Sequence, residues 1–204
     1  TGGEVFSHRD IFKMIELATK KKKLTMVPSN GLLIPKRLEE LKKTRLTSLQ
    51  ISLYDEYLDQ QISNIRLLKK TNPKINLSIA RYVTAEEKSF KDMERFISIA
   101  ENLGIRDVCF QNFVAKDEND QHLSIFDDHL NVLNHFDTLK SKYGRKFNIS
   151  FPSPLKREIG QSFCYDLYTV VFVGKEGYVA PCSTINPPSK KYGNIWDDNF
   201  WNNH

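Results

Sequence analysis

One stretch of the sequence decides the fold class: SLQISLYDEYLDQQISNIRLLKKTNPKINLSIARYV, residues 48–83. It opens with alternating polar and apolar residues, which is typical of a strand with one buried face. Residues 58–70 then carry an apolar stripe at helical spacing, and Asn72-Pro73 ends that helix. A second alternating run, residues 75–83, predicts another strand. A helix of this length between two strands indicates a parallel βαβ unit.

The same rhythm of strands and helices extends over most of the chain. Strands are predicted near residues 24, 48, 75, 106 and 147. Thr84 and Glu87 predict a capping box for a single helix that ends at Leu103. Residues 124–143 predict one long helix, with Asp127-Asp128 on its solvated face. The fold class is therefore α/β with a parallel sheet or barrel, which places ligands at the carboxyl ends of its strands.

The character of the sequence changes after Pro154. Residues 167–173 and 178–180 are rich in β-forming side chains, and residues 174–177 form a glycine-flanked turn between them. This pattern predicts a small separate element. We therefore predict two domains, residues 1–154 and residues 155–204.

Composition narrows the class of protein. The 204 residues carry a net charge of +5, and the lysines and arginines cluster in short runs at predicted helix ends and in loops. The helix dipole favours cations at such positions, so we predict no nucleic-acid partner. No stretch approaches the roughly 20 apolar residues that span a bilayer, and no secretory leader opens the chain. We therefore predict a cytoplasmic protein with no membrane partner.

The three cysteines, Cys109, Cys164 and Cys182, are too few for a disulfide framework in a chain of this length. They are predicted to be free thiols or metal ligands. Cys109 lies within a predicted strand and is expected to be a buried core thiol.

The order of several short motifs points to a family. The chain begins Thr1-Gly2-Gly3-Glu4 before a helix, the strand near residue 24 is followed by Ser29-Asn30-Gly31, and the next strand ends Ile51-Ser52-Leu53. This order and spacing resembles radical S-adenosylmethionine enzymes over nearly the whole chain. The resemblance implies a partial parallel (β/α)6 TIM-like barrel that is truncated at its N-terminus.

The resemblance also implies a cofactor site at the strand ends. The positions that match the family's S-adenosylmethionine contacts are Gly2, Gly3, Glu4, Asn30, Ser52 and Arg81. The Gly-Gly-Glu backbone would receive the amino group of the methionine moiety, Ser52 would contact the ribose, and Arg81 would reach the carboxylate or ribose.

The residues alone leave other roles open at all of these positions. Gly2-Gly3-Glu4 could be an ordinary strand-to-helix turn. Ser52 could only cap its loop, and Asn30 could only serve as a turn residue. Arg81 could pair with Glu86 or Glu87 instead of a ligand.

In the family, a [4Fe–4S] cluster cleaves S-adenosylmethionine reductively to a 5′-deoxyadenosyl radical, which abstracts hydrogen from a substrate. Three cysteines in a Cys-x3-Cys-x2-Cys loop hold that cluster. This chain lacks the loop, so we expect a fragment that is inactive alone. The implied partners are an electron donor such as a flavodoxin or ferredoxin, and a substrate class that includes peptides and proteins.

Cys164 and Cys182 flank the turn at residues 174–177, and this arrangement resembles the opening of a SPASM or twitch domain. The resemblance implies that both thiolates ligate an auxiliary iron–sulfur cluster. Two unligated thiols beside a hairpin remain the alternative. For the whole chain, one alternative is a degenerate, non-catalytic binding or assembly module. Another is an unrelated βα-barrel lyase or isomerase, but the sequence shows no glycine-rich phosphate loop after a late strand.

Overall fold

The computed structural model describes residues 3–115, 117–157, 170–174, 176–180 and 192–197. The chain divides into two compact units, Thr1–Arg157 and Glu158–His204. Three predicted site residues, Gly2, Cys164 and Cys182, lie outside the described residues.

The first unit is built on a five-stranded sheet whose strands follow one another in chain order. The strands are β1 (Met26–Ser29), β2 (Ser48–Ser52), β3 (Leu77–Val83), β4 (Asp107–Asn112) and β5 (Asn148–Ser150). Each neighbouring pair is parallel. The α/β class and the five predicted parallel strands are therefore confirmed.

Helices connect the strands. They are α1 (Ile11–Lys20), α2 (Leu38–Lys43), α3 (Leu58–Thr71), α4 (Glu87–Lys91), α5 (Met93–Asn102) and α6 (Leu130–Tyr143). Short 3-10 turns lie at Val5–Ser7, Ile34–Arg37, Asp55–Tyr57 and Gln121–Leu123. The segment from Ile34 thus begins as a 3-10 turn and becomes α-helical at Leu38.

The helices pack on one face of the sheet. Ile51 of β2 and Ile79 of β3 are buried in a single core with Ile65 of α3 and Phe96 of α5. Each such side chain contributes roughly 1.5–3 kcal/mol on burial. Right-handed crossovers between strands in chain order bring successive helices to the same face of the sheet. Helices on one face are typical of a βα-barrel, whereas a doubly wound sheet carries helices on both faces. Closure of the barrel and a sixth strand stay predictions.

The prediction of one helix over residues 124–143 is wrong in its first part, because α6 begins only at Leu130. The preceding residues are drawn into tertiary hydrogen bonds. The Ile125 N–H donates to Asn112 Oδ1 (2.9 Å), and the Leu155 N–H donates to the Ile125 carbonyl (2.8 Å). These bonds hold the segment extended, so Asp127 and Asp128 lie in a turn and not on a helix.

The capping box predicted at Thr84 and Glu87 is not formed. The Thr84 N–H donates to Ser89 Oγ at 2.9 Å, and the Thr84 hydroxyl bonds Glu86. The predicted single helix is also interrupted at Asp92, which separates α4 from α5.

The first strand also lies further along the chain than predicted. Ser29, which the sequence places after this strand, belongs to β1 together with Pro28. Proline is tolerated there because β1 is the terminal strand of the described sheet and pairs only with β2.

In the second unit, the described residues include an antiparallel pair, β6 (Phe172–Val173) and β7 (Val179–Ala180). The turn between them contains Gly177, whose φ of +84° suits glycine. A Cβ atom at that position would overlap the indole nitrogen of Trp196.

Candidate functional site

Glu4 joins the segment after Gly3 to the carboxyl end of β1. Its carboxylate accepts hydrogen bonds from the Phe6 N–H (3.0 Å), the Ser29 hydroxyl (2.8 Å) and the Asn30 N–H (2.8 Å). The side chain is therefore engaged within the protein. The Glu4 backbone carbonyl is engaged as well, because it accepts from the Ser7 N–H (3.1 Å) and the Ser7 hydroxyl (2.6 Å).

Gln61 of α3 joins the ends of β1 and β2. Its side-chain Nε2 donates to the Asn30 carbonyl (2.7 Å) and to the Ser52 carbonyl (2.8 Å), and its Oε1 accepts from the Tyr54 N–H (2.9 Å). Gln61 is fully buried. Glu4, Asn30, Gln61 and Ser52 thus form one continuous network, which we call the rim network.

A second amide of α3 supports the turn after β1. Asn64 Nδ2 donates to the Gly31 carbonyl at 3.0 Å, and Asn30 Oδ1 accepts from the Leu32 N–H at 2.9 Å. Gly31 has a φ of +74°, and a Cβ there would press on Ile51 at 3.1 Å. The Asn-Gly turn therefore needs its glycine both for the backbone conformation and for the close approach of β2.

Among the described residues, Gly3, Asn30 and Ser52 are predicted site residues that leave groups open; the Asn30 side chain accepts through Oδ1, and its Nδ2 has no hydrogen-bond partner there. Gly3 has a φ of +74°, and no atom lies within 4 Å of the position that a Cβ would take. The Ser52 hydroxyl has no hydrogen-bond partner in the part of the chain that the structure describes. It borders a small hollow of about 10 Å³ that Tyr82 of β3 and Gln111 of β4 also line.

Arg81 borders the same hollow, but its guanidinium group is engaged. It donates to the Leu53 carbonyl at 3.0 Å, pairs with Asp55 and lies 4.7 Å from the centre of the Phe96 ring. The alternative partners, Glu86 and Glu87, are not used; Asp55 takes that role.

Asp55 accepts from both Arg95 and Arg81. The hydrogen bond from Arg95, followed by the charge of Arg81, lowers the pKa of Asp55 below its usual 3.8. Hydrogen bonds to Asp92 and then Asp55 raise the pKa of Arg95. Arg81 and Arg95 therefore fix the loop after β2 through one carboxylate.

The sheet face opposite the helices, which we call the open face, carries polar side chains. Gln50, Ser78, Asp107 and Asn148 are aligned across β2 to β5, and Cys109 is paired with Ser150 on the next row. Together with Val108 and Ile149, these residues line a hollow of about 380 Å³.

The prediction that Cys109 is a core thiol is wrong. The side chain is half-buried on the open face and shares hydrogen bonds with Ser150 and Gln50. Partial burial raises the pKa of this thiol above its usual 9.0. Strand alternation explains the placement, because Val108 and Phe110 on either side of Cys109 point into the helix-covered core.

Within the described ranges, no group of three or more His, Cys, Asp or Glu side chains is arranged to hold a metal ion. The described residues therefore contain no ligand set that fits an iron–sulfur cluster. Among the same residues, no helix combines the length and apolar character needed to cross a membrane.

The fold is similar to solved structures of SuiB from Streptococcus suis. SuiB bound to S-adenosylmethionine matches with a TM-score of 0.63 and 16% identity, over 89% of this chain and 47% of SuiB. SuiB bound to the precursor peptide SuiA matches with a TM-score of 0.68 and 18% identity, over 98% and 52% of the two chains. A third SuiB structure gives 0.67 and 17%, over 98% and 54%.

At these identities the likeness shows the fold alone, and the chain spans about half the length of SuiB. No protein-family model matches the chain. No curated protein matches it closely enough to count as a relative.

Proposed function

We propose that this chain is part of a radical S-adenosylmethionine enzyme and that the rim network forms its cofactor site. The observation that carries the proposal is the network itself: Gln61 and Glu4 hold Asn30 and Ser52 together at the carboxyl ends of β1 and β2. Parallel βα folds bind ligands at this edge. The sequence resemblance and the fold shared with SuiB, which was solved with S-adenosylmethionine, support the same assignment.

The free groups at the rim suit the two ends of S-adenosylmethionine. Backbone carbonyls of the glycine-rich segment at Gly2-Gly3 would accept from the amino group, because glycine lets a ligand approach the main chain closely. The Ser52 hydroxyl would donate to or accept from the ribose hydroxyls. Arg81 contributes by holding the Leu53–Asp55 loop beside the hollow, and its predicted contact with the carboxylate or ribose stays a prediction.

When bound, S-adenosylmethionine supplies a 5′-deoxyadenosyl radical that removes a hydrogen atom from the substrate. The residues of this chain would bind and orient the cofactor, and an iron–sulfur cluster with an electron donor such as a flavodoxin or ferredoxin would supply the reducing electron. We propose a peptide or protein as the substrate, in line with the SuiB structure bound to the precursor peptide SuiA. The cytoplasmic location and the auxiliary cluster at Cys164 and Cys182 are also proposals, supported by the sequence only.

Calorimetric titration with S-adenosylmethionine tests the site without requiring turnover. We expect binding of S-adenosylmethionine and of S-adenosylhomocysteine, with free methionine at least tenfold weaker because it lacks the adenosyl part. Ser52→Ala should weaken binding about fivefold, the effect of one net hydrogen bond.

Ser48→Ala is the matched control for that titration. Ser48 is half-buried on the same face at the other end of β2, and its loss should leave the affinity unchanged. Absence of binding by every adenosyl compound would refute the proposal and favour a non-catalytic module that has lost the cofactor.

A further inference from the structure

Asn30-Gly31 is the single Asn-Gly pair in the sequence, and it forms the turn after β1. In unfolded chains an asparagine followed by glycine loses its side-chain amide without an enzyme, because glycine has no Cβ to keep its nitrogen away from the asparagine side chain. By sequence, this turn is therefore the position at which the chain is most prone to deamidate.

The reaction has two steps, and water is its one co-reactant. The Gly31 nitrogen gives its proton to solvent and attacks Cγ of Asn30. The new N–C bond closes a succinimide ring, and the Cγ–Nδ2 bond breaks to release ammonia. Water then opens the ring at either carbonyl, which leaves aspartate or isoaspartate at position 30. No group is oxidised or reduced.

The peptide group between Asn30 and Gly31 is held on both edges. Its carbonyl accepts from Gln61 Nε2 (2.7 Å), and its N–H donates to Ser29 Oγ (2.9 Å). The succinimide ring fixes the asparagine backbone in a conformation outside the regions that an L-residue ordinarily adopts. The peptide group must therefore rotate before the ring can close, and that rotation breaks both hydrogen bonds.

The reacting groups are themselves engaged. Asn30 Oδ1 accepts from the Leu32 N–H at 2.9 Å, which fixes the side-chain carbonyl. Gly31 is buried and its acceptor Ser29 is 4% exposed, so solvent has little access to the proton that must leave. The Ser29 hydroxyl is held in turn by its hydrogen bond to Glu4 (2.8 Å).

We propose that Asn30-Gly31 is a site of spontaneous modification, which Ser29 and Gln61 hold in an unreactive conformation while the chain is folded. Local opening of the turn exposes the Gly31 nitrogen and allows deamidation. Water does not reverse the reaction, so a chain that has opened and reacted keeps the change. This inference goes beyond the proposed function and does not depend on it.

The product alters both the charge and the length of the main chain at the rim. Aspartate replaces the free Nδ2 donor of Asn30 by a carboxylate close to that of Glu4, whose Oε2 lies 2.8 Å from the Asn30 nitrogen. Like charges at this separation repel. Isoaspartate adds one carbon to the main chain before Gly31, which displaces the carbonyl that accepts from Asn64.

The rate of deamidation is measured on the whole chain at pH 8 and 37 °C. Trypsin releases residues 24–36 as one peptide, and its mass rises by about 1 Da when Asn30 is converted. A synthetic peptide of the same residues gives the rate of the open chain. We expect the folded protein to react about 25-fold more slowly, since each of two net hydrogen bonds contributes about fivefold.

Two variants each free one edge of the peptide group. Ser29→Ala removes the acceptor of the Gly31 N–H, and Gln61→Leu removes the donor to the Asn30 carbonyl. Each should accelerate deamidation about fivefold, the effect of one net hydrogen bond, when its rate is divided by that of its own synthetic peptide.

Asn72→Ala is the matched control. Asn72 Nδ2 also donates to a main-chain carbonyl, that of Leu41 (3.0 Å), but it lies just after the last residue of α3, far along that helix from Gln61. Its loss lowers stability without freeing the turn. The rate should therefore stay at the wild-type value, whereas a reaction that required global unfolding would be accelerated here as well.

Deamidation of the folded wild type at the rate of its peptide would overturn the proposal, as would equal rates in Ser29→Ala and Asn72→Ala. A Ser29→Ala protein that stays unreacted after its peptide has been consumed would also overturn it. Circular dichroism identifies a variant that has not folded, and Gln61→Leu then carries the comparison. No S-adenosylmethionine is present in this assay, so failure of cofactor binding is a separate result.

Discussion

Replacement of Gln61 by leucine tests whether hydrogen bonds from helix α3 stabilise the rim network. Leucine has a similar size but no polar atoms, so the change removes three hydrogen bonds at once. The Asn30 and Ser52 carbonyls and the Tyr54 N–H lose their side-chain partner. The core itself is left filled.

The expected loss follows from the surroundings of these groups. An unpaired polar group costs about 1–3 kcal/mol in the interior, and the lower value applies here because Tyr54 is 38% exposed and water can approach. Three groups then cost about 3 kcal/mol. The apolar leucine side chain recovers about 1 kcal/mol on burial. The net loss in the free energy of unfolding is about 2 kcal/mol.

Urea unfolding followed by circular dichroism measures this loss. With a slope of about 2 kcal/mol/M, the midpoint should fall by roughly 1 M. Gln60→Leu is the control, because Gln60 is the exposed neighbour on the same helix and its replacement should change stability by less than about 0.5 kcal/mol. Hydrogen exchange at the Tyr54 amide should accelerate in Gln61→Leu alone. If the two variants unfolded at the same midpoint, Gln61 would not be holding the strand ends.

Two further predictions concern other charged or reactive groups. Asp55→Asn should lower the urea midpoint at pH 7, and the difference from the wild type should shrink below about pH 4. The pKa of Asp55 is depressed in the folded wild type, so its carboxylate stabilises the fold above the usual pKa of 3.8. That stabilisation is lost as the pH falls and the carboxylate becomes protonated. Asp137→Asn, an exposed position, should show no such trend. Cys164→Ser should lower the iron retained after anaerobic reconstitution, whereas Cys109→Ser should not; equal iron in both would contradict the auxiliary-cluster proposal.

The strand pattern could be predicted from sequence because alternation depends on local burial. Helix starts were less predictable, since they depend on contacts between distant residues. Nothing near Ser124 indicates that Asn112 and Leu155 will hold Ile125 in an extended segment. The capping box at Thr84 failed for a similar reason, because Ser89 competes for the Thr84 N–H.

The site could be located from sequence only to the level of the strand ends. The motifs indicate which residues lie there, but they do not show which side chains are already engaged. Gln61 was missed, although a signal exists. Gln61 and Asn64 occupy the same helical stripe as the buried Ile65 and Leu68, and a polar residue on a buried stripe must have a partner. A signal exists for Cys109 as well, because alternation with the apolar Val108 and Phe110 places its side chain on the face opposite the core.

The hydrogen bonds separate predicted site residues whose side chains are engaged within the protein from those whose side chains are free to contact a ligand. The carboxylate of Glu4 and the guanidinium of Arg81 are bound within the protein, so both can affect a ligand by holding the loops at the strand ends. Within the described residues, the Ser52 hydroxyl and the Asn30 Nδ2 are free side-chain groups at the strand ends. Side-chain substitutions at Glu4 and Arg81 should therefore act through stability, whereas Ser52→Ala should act through affinity.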